Sequence, residues 1–146
     1  MTAPPGPLIG ALQQALAAEQ AASYGYGVVG AHVSGSRQAA ATTDWVAHMR
    51  ARDLLIAMIK ARGGQPAPAA VAYQLATPVH SAAQAVALAA TLEDGVARAY
   101  LALVALTDTG LRDFGANQVR AAALRAEAWS GSTVAFPGLP SSSLHG

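Results

Sequence analysis

The sequence predicts an all-α protein of four antiparallel helices arranged as two helical hairpins. Three observations carry this. Alanine, the strongest helix former, supplies 37 of the 146 residues. Punctuation by Gly, Pro and Ser divides the chain into four Ala-rich segments. Two of the three connections between segments are a few residues long, whereas the middle one runs to about eighteen.

The first helix is expected from Pro7 to about Val33, with Pro7 in a first turn where its missing N–H costs nothing. Ser34-Gly35-Ser36 ends it, Gly35 serving as a left-handed cap and Ser36 capping the next helix. The second helix is expected from about Arg37 to Arg62, stopping at Gly63-Gly64. Ser81-Ala82-Ala83-Gln84 reads as a capping box opening a third helix that ends near Leu106. Thr107-Asp108-Thr109-Gly110 is a tight connection, and the fourth helix is expected from about Leu111 to Ser130, closed by Gly131.

Connections of a few residues make antiparallel neighbours. The link over 63–80 is different. At about 3.3 Å per residue, fewer than ten extended residues span a helix of about 27 Å, so this link can cross the full length of the bundle. Antiparallel four-helix bundles made of two helical hairpins joined by one long crossover include the ferritin-like folds, and a bundle of that kind is expected. The expected organisation is a flexible N-terminus over 1–6, the bundle over 7–131, and a non-helical tail over 132–146 in which Phe136 tucks onto the bundle.

Charge excludes several function classes. Only 12% of residues are charged and the net charge is +1. No basic stripe exists to neutralise phosphates, so nucleic acid is not an expected partner. The absence of Cys rules out disulfides and thiolate metal sites. The N-terminus lacks a basic signal region, and the charge-free run from Gly63 to Leu92 is broken by Pro66, Pro68 and Pro78. A cytoplasmic protein without membrane association is expected.

Core positions in packed helices recur at alternating spacings of three and four. Helix one then offers Leu12, Leu16, Glu19, Ser23 and Tyr26, helix two Trp45, His48, Arg52 and Leu55, and helix three Ala89, Glu93, Val96 and Tyr100. Helix four has two phases, Phe114-Asn117-Ala121-Leu124-Ala128 or Asn117-Arg120-Leu124-Glu127. Two of only three Glu therefore sit mid-helix on core stripes. With the helix centres level, Glu19, His48, Arg52, Glu93, Tyr26 and Tyr100 meet in one buried polar cluster. Unpaired buried charges cost several kcal/mol each, so these groups must pair or bind something.

Two chemistries satisfy that demand. In the first, Arg52, with Arg120, bridges the two carboxylates in a structural ion network. In the second, Glu19, His48, Glu93 and Glu127 hold iron or manganese in a mono-metal or di-metal carboxylate-bundle oxidoreductase, with Tyr26 or Tyr100 nearby. A full di-metal site needs a Glu-x-x-His on each of two helices. Here Trp45 precedes His48 by three and Ser130 follows Glu127 by three, so half the ligands are absent and no cofactor is expected.

Glu19 to Gly27 (with Tyr24-Gly25-Tyr26-Gly27), Ala47-His48-Met49-Arg50-Ala51-Arg52-Asp53, Leu92-Glu93-Asp94 and Ala135-Phe136-Pro137-Gly138-Leu139-Pro140 resemble an uncharacterised ferritin-like family, a domain of unknown function found largely in actinobacteria. The resemblance covers nearly the whole chain. It implies a ferritin-like four-helix bundle and no particular activity. The family pattern has His after the first Glu, and Gln20 stands there instead, which departs from a metal-binding set.

Gly25, Gly27 and Gly30 each cost about 1 kcal/mol of helix propensity against Ala. Close helix approach offsets this, or else space for a small apolar ligand between helices one and three, beside Tyr26. Ala-rich, weakly charged outer faces favour a homodimer. The expectation is a non-catalytic binding or structural module built around a carboxylate–arginine–histidine cluster.

Overall fold

The computed structural model describes residue 3 and residues 5–71, 73–75 and 78–131; the expected tail over 132–146, Phe136 included, lies outside them. Four helices account for most of the described chain: α1 (Pro7–His32), α2 (Ser36–Ala61), α3 (Ala82–Val104) and α4 (Thr109–Ser130). None is long and apolar enough to cross a membrane.

The helix ends follow local chemistry. Pro7 occupies the first turn of α1. Ser81 caps α3, its hydroxyl accepting from the Gln84 N–H at 3.1 Å, while the Gln84 side chain accepts from the His80 N–H at 2.7 Å. Asp108 caps α4 by accepting from the Leu111 N–H at 2.9 Å, so that helix opens two residues before Leu111. Gly131 ends it in the left-handed region, at φ 73°. The α1–α2 turn departs from expectation. Val33 is the α1 C-cap, and Gly35, at φ 63°, precedes α2 as its N-cap. Ser36 is already helical and makes no side-chain cap.

Two apolar clusters set the helix directions. One gathers Leu12 and Leu16 from early α1, Leu55 and Ile59 from late α2, Leu103 from late α3 and Leu111 from early α4. The other gathers Val29 from late α1, Ala41 from early α2, Ala85 and Ala89 from early α3 and Trp129 from late α4. Thus α1 and α4 run one way, α2 and α3 the other. The connection between α2 and α3 lies beside α1. Gln13 donates to the Gln65 carbonyl at 2.6 Å, Gln20 donates to the Ala67 carbonyl at 3.0 Å, and Tyr73 packs on Tyr24. Helix α1 packs on α2 and α3, and α3 on α4, whereas α2 and α4 share no extensive contact.

Candidate functional site

Between the two apolar clusters lies a polar layer. Glu19, His48 and Glu93 come from the middles of α1, α2 and α3, and all three are fully buried. The imidazole of His48 joins the carboxylates: its Nδ1 lies 2.6 Å from Glu19 Oε2 and its Nε2 lies 2.8 Å from Glu93 Oε1. Two buried tyrosines complete the contacts. Tyr26 donates to Glu93 Oε1 at 2.6 Å, and Tyr100 donates to Glu19 Oε1 at 2.7 Å. The ring of Tyr26 also stacks on that of His48, with centroids 5.2 Å apart.

With a carboxylate oxygen at each ring nitrogen, both nitrogens must donate, which makes the ring an imidazolium. Burial opposes that charge, but the hydrogen bonds to Glu19 and Glu93 outweigh it and raise the pKa to about 9. The same burial, reinforced by the adjacent carboxylates, pushes both tyrosine hydroxyls above their ordinary range, so they remain donors. A second cation enters from α4: Arg125 Nε donates to Glu93 Oε1 at 3.0 Å. Two carboxylates thus face one imidazolium and one guanidinium, and the layer balances its own charge. Glu93 Oε1 accepts three donors, while Glu93 Oε2 is buried without a partner.

Of the residues expected to meet, the structure brings together Glu19, Tyr26, His48, Glu93 and Tyr100. It does not bring Arg52. That side chain turns to the outer side of α2 and clasps its neighbour Asp53, through Nε at 2.9 Å and Nη2 at 2.8 Å. Arg120 and Glu127 are exposed, so the expected arginine bridge does not form, and the alternative four-ligand set is not assembled either. For Arg120 and Glu127 the cause is the phase of α4. Its buried positions are Leu111, Gly115, Ala122 and Trp129, which matches neither phase read from the sequence. Adding Gln118 and Arg125 gives spacings of four, three, four, three and four. Phe114, the large apolar neighbour, obscured this stripe. Gly115 carries it because a Cβ there would lie 2.8 Å from Leu103 Cβ and 3.2 Å from the Tyr100 carbonyl oxygen.

The α1 glycines divide similarly. Leu92 of α3 fills the space at Gly25, where a Cβ would collide with it, whereas nothing lies near a Cβ at Gly27. The cleft beside Tyr26, Gly27 and Gly30 opens toward α2, with Trp45 on its far wall. The expected ligand space between helices one and three is therefore not beside Gly25. The indole of Trp129 donates to Asp44 Oδ2 at 2.8 Å, tying α4 to α2.

The family model described as Domain of unknown function (DUF4439) matches residues 11–141. The chain belongs to that family. Every residue of the polar layer, Arg125 included, falls inside the matched span. Among solved structures, the chain is similar to a conserved hypothetical protein, rv2844, from Mycobacterium tuberculosis, at 33% identity and a TM-score of 0.83, covering 88% of this chain and 98% of that one. No curated protein matches the chain.

Proposed function

We propose that this member of the DUF4439 family is a non-catalytic binding or structural module whose polar layer is a self-neutralising ion network. We read the bundle as ferritin-like: opposed hairpins with a connection lying along α1 fit two hairpins joined by a crossover. One observation carries the functional reading. His48 gives one ring nitrogen to each carboxylate, on opposite edges of the ring. A cation replacing the proton at either nitrogen would meet one carboxylate and not both. Arg125 already occupies Glu93 from the α4 side, and Glu127, the fourth ligand of the alternative metal reading, is exposed. The donor set does not fit a di-metal centre, and Glu93 Oε2 is one acceptor rather than a chelate.

The network fixes the axial register of α1, α2 and α3, since a shift along any helix axis separates the bonded pairs. The exposed side chains of Leu54 and Leu101 suit a homodimer, and a cytoplasmic setting fits a chain without cysteine. The decisive experiment is elemental analysis of protein expressed with iron, manganese and zinc supplied, purified without chelator or His tag. The expected protein is folded and metal-free, with one melting temperature before and after chelator treatment. One or two tightly held metals per chain, with a melting temperature that falls on chelation, would overturn the proposal in favour of a carboxylate-bundle oxidoreductase. Light scattering checks the assembly: a 14.7 kDa particle at micromolar concentration would refute the dimer.

A further inference from the structure

The side of the bundle where α2 and α4 lack extensive contact holds a cleft of about 460 Å³, a volume suited to a small organic ligand. Its walls are unlike in character. Ala40, Leu124, Ala128 and the indole of Trp129 form an apolar surface, and Arg37 and Arg125 line the same cleft. Arg125 is the link to the interior. Its Nε is fixed on Glu93 and its side chain is only 18% exposed, yet neither Nη has a hydrogen-bond partner among the described residues. An arginine anchored through Nε has its orientation set in advance, with both terminal N–H groups left for an oxyanion. Glu93 offsets the charge of Arg125, so Arg37, which forms no ion pair among the described residues, brings one further positive charge. Asp44 sets a limit in the other direction. It lines the cleft from α2, with Oδ2 taken by the Trp129 indole, and its negative charge disfavours a ligand carrying two.

We propose that the α2–α4 cleft binds a small monocarboxylate with an apolar body, the carboxylate held between Arg37 and Arg125 and the body lying on Trp129 and Leu124. This gives the binding-module reading above a site and a ligand class, and it rests on that reading only for the absence of chemistry. A metal found in the polar layer would overturn the earlier proposal without touching the cleft, and a silent cleft would leave the ion network standing.

The probe is 3-phenylpropionate, titrated into the full ¹⁵N-labelled chain while the two indole N–H resonances are followed, with Trp45→Phe used to assign that of Trp129. The expected result is a saturable shift of the Trp129 resonance at millimolar concentration or below. The neutral 3-phenylpropionamide leaves it in place, and phenyl phosphate binds more weakly. Arg37→Gln removes an exposed side chain outside the polar layer, so its fold is retained, and it weakens binding at least tenfold. A missing or non-saturable shift, an equal response to the amide, tighter binding of phenyl phosphate, or unchanged affinity in Arg37→Gln would each overturn the proposal.

Discussion

The end of the bundle around Leu16, Leu55, Ile59 and Leu103 and the layer around His48 are both fully buried, but they answer to different physics. Apolar packing is non-directional. A leucine can exchange one neighbour for another at modest loss, and volume matters more than partner identity. The polar layer depends on named pairs. Each contact is a hydrogen bond of 2.6 to 3.0 Å between fixed atoms on different helices, and a buried group that loses its partner bears the full cost of desolvation. The apolar end supplies most of the driving force for folding, while the layer selects one register among those that apolar packing would tolerate.

Substitutions separate the two regions by mechanism. His48→Ala leaves Glu19 and Glu93 buried without their shared cation, and its expected cost is the largest, about 3–5 kcal/mol by urea unfolding. Leu55→Ala removes buried methyl groups from the apolar end and costs about 2–5 kcal/mol, depending on how far the cavity collapses. The distinguishing result is rescue: adding Glu19→Gln should recover part of the His48→Ala loss and none of the Leu55→Ala loss. Equal recovery in both backgrounds would remove the distinction between the regions.

Acidity sharpens the comparison, because only one region titrates. The folded-state pKa of His48, about 9, lies above the ordinary histidine value near 6.5. The folded chain therefore holds the proton more tightly than the unfolded chain. The resulting stability is fully present below about pH 6.5 and is lost as the pH rises through about 9, on the order of 3 kcal/mol in all. Unfolding midpoints at pH 6, 7.5 and 9 should fall in that order. His48→Gln, which cannot titrate, should lose this slope, and Leu55→Ala should keep it. A parental midpoint unchanged from pH 6 to 9 would contradict the imidazolium.

A smaller effect is expected where α3 and α4 approach most closely. Gly115→Ala places a methyl group against Leu103 and the backbone of α3, and overpacking of this kind costs about 1–3 kcal/mol. Gly27→Ala, on the same test, should be neutral or stabilising, because the site is open and Ala is the better helix former. The pair of calorimetric melts distinguishes packing glycines from the rest.

How much could be read in the sequence depended on the kind of signal. The four-helix, all-α architecture was legible because Ala content, punctuation and link lengths agree. Glu19, His48 and Glu93 were legible as core positions because a rare charged residue on an apolar stripe stands out. Helix four was not legible. Between Leu111 and Trp129 its inward stripe carries only Gly115, Gln118, Ala122 and Arg125, which are small or polar, while Phe114, packed on Tyr100 at the flank, and exposed Leu124 draw the hydrophobic spacing elsewhere. Spacing therefore offers Arg52 of helix two and Arg120 of helix four for the network, in place of Arg125. One turn of helix separates His48 from Arg52, but a side chain that long is not bound to follow its stripe inward when Asp53 offers a nearer partner.

The smallest expected effect bears on that reassignment. If Arg52 bridged Glu19 and Glu93, Arg52→Met would strand two buried carboxylates and cost about 3–5 kcal/mol. With the guanidinium turned outward onto Asp53, which is itself two-thirds exposed, the substitution removes a surface ion pair worth about 0–1 kcal/mol. Methionine retains much of the apolar stem and has comparable helix propensity. Urea unfolding should therefore place Arg52→Met within about 0.5 kcal/mol of the parent. Arg125→Met, measured beside it, removes a cation bonded to a fully buried carboxylate oxygen and should be clearly destabilising. A reversal of that order would return the network to helix two and leave Arg125 as a surface residue of the cleft alone.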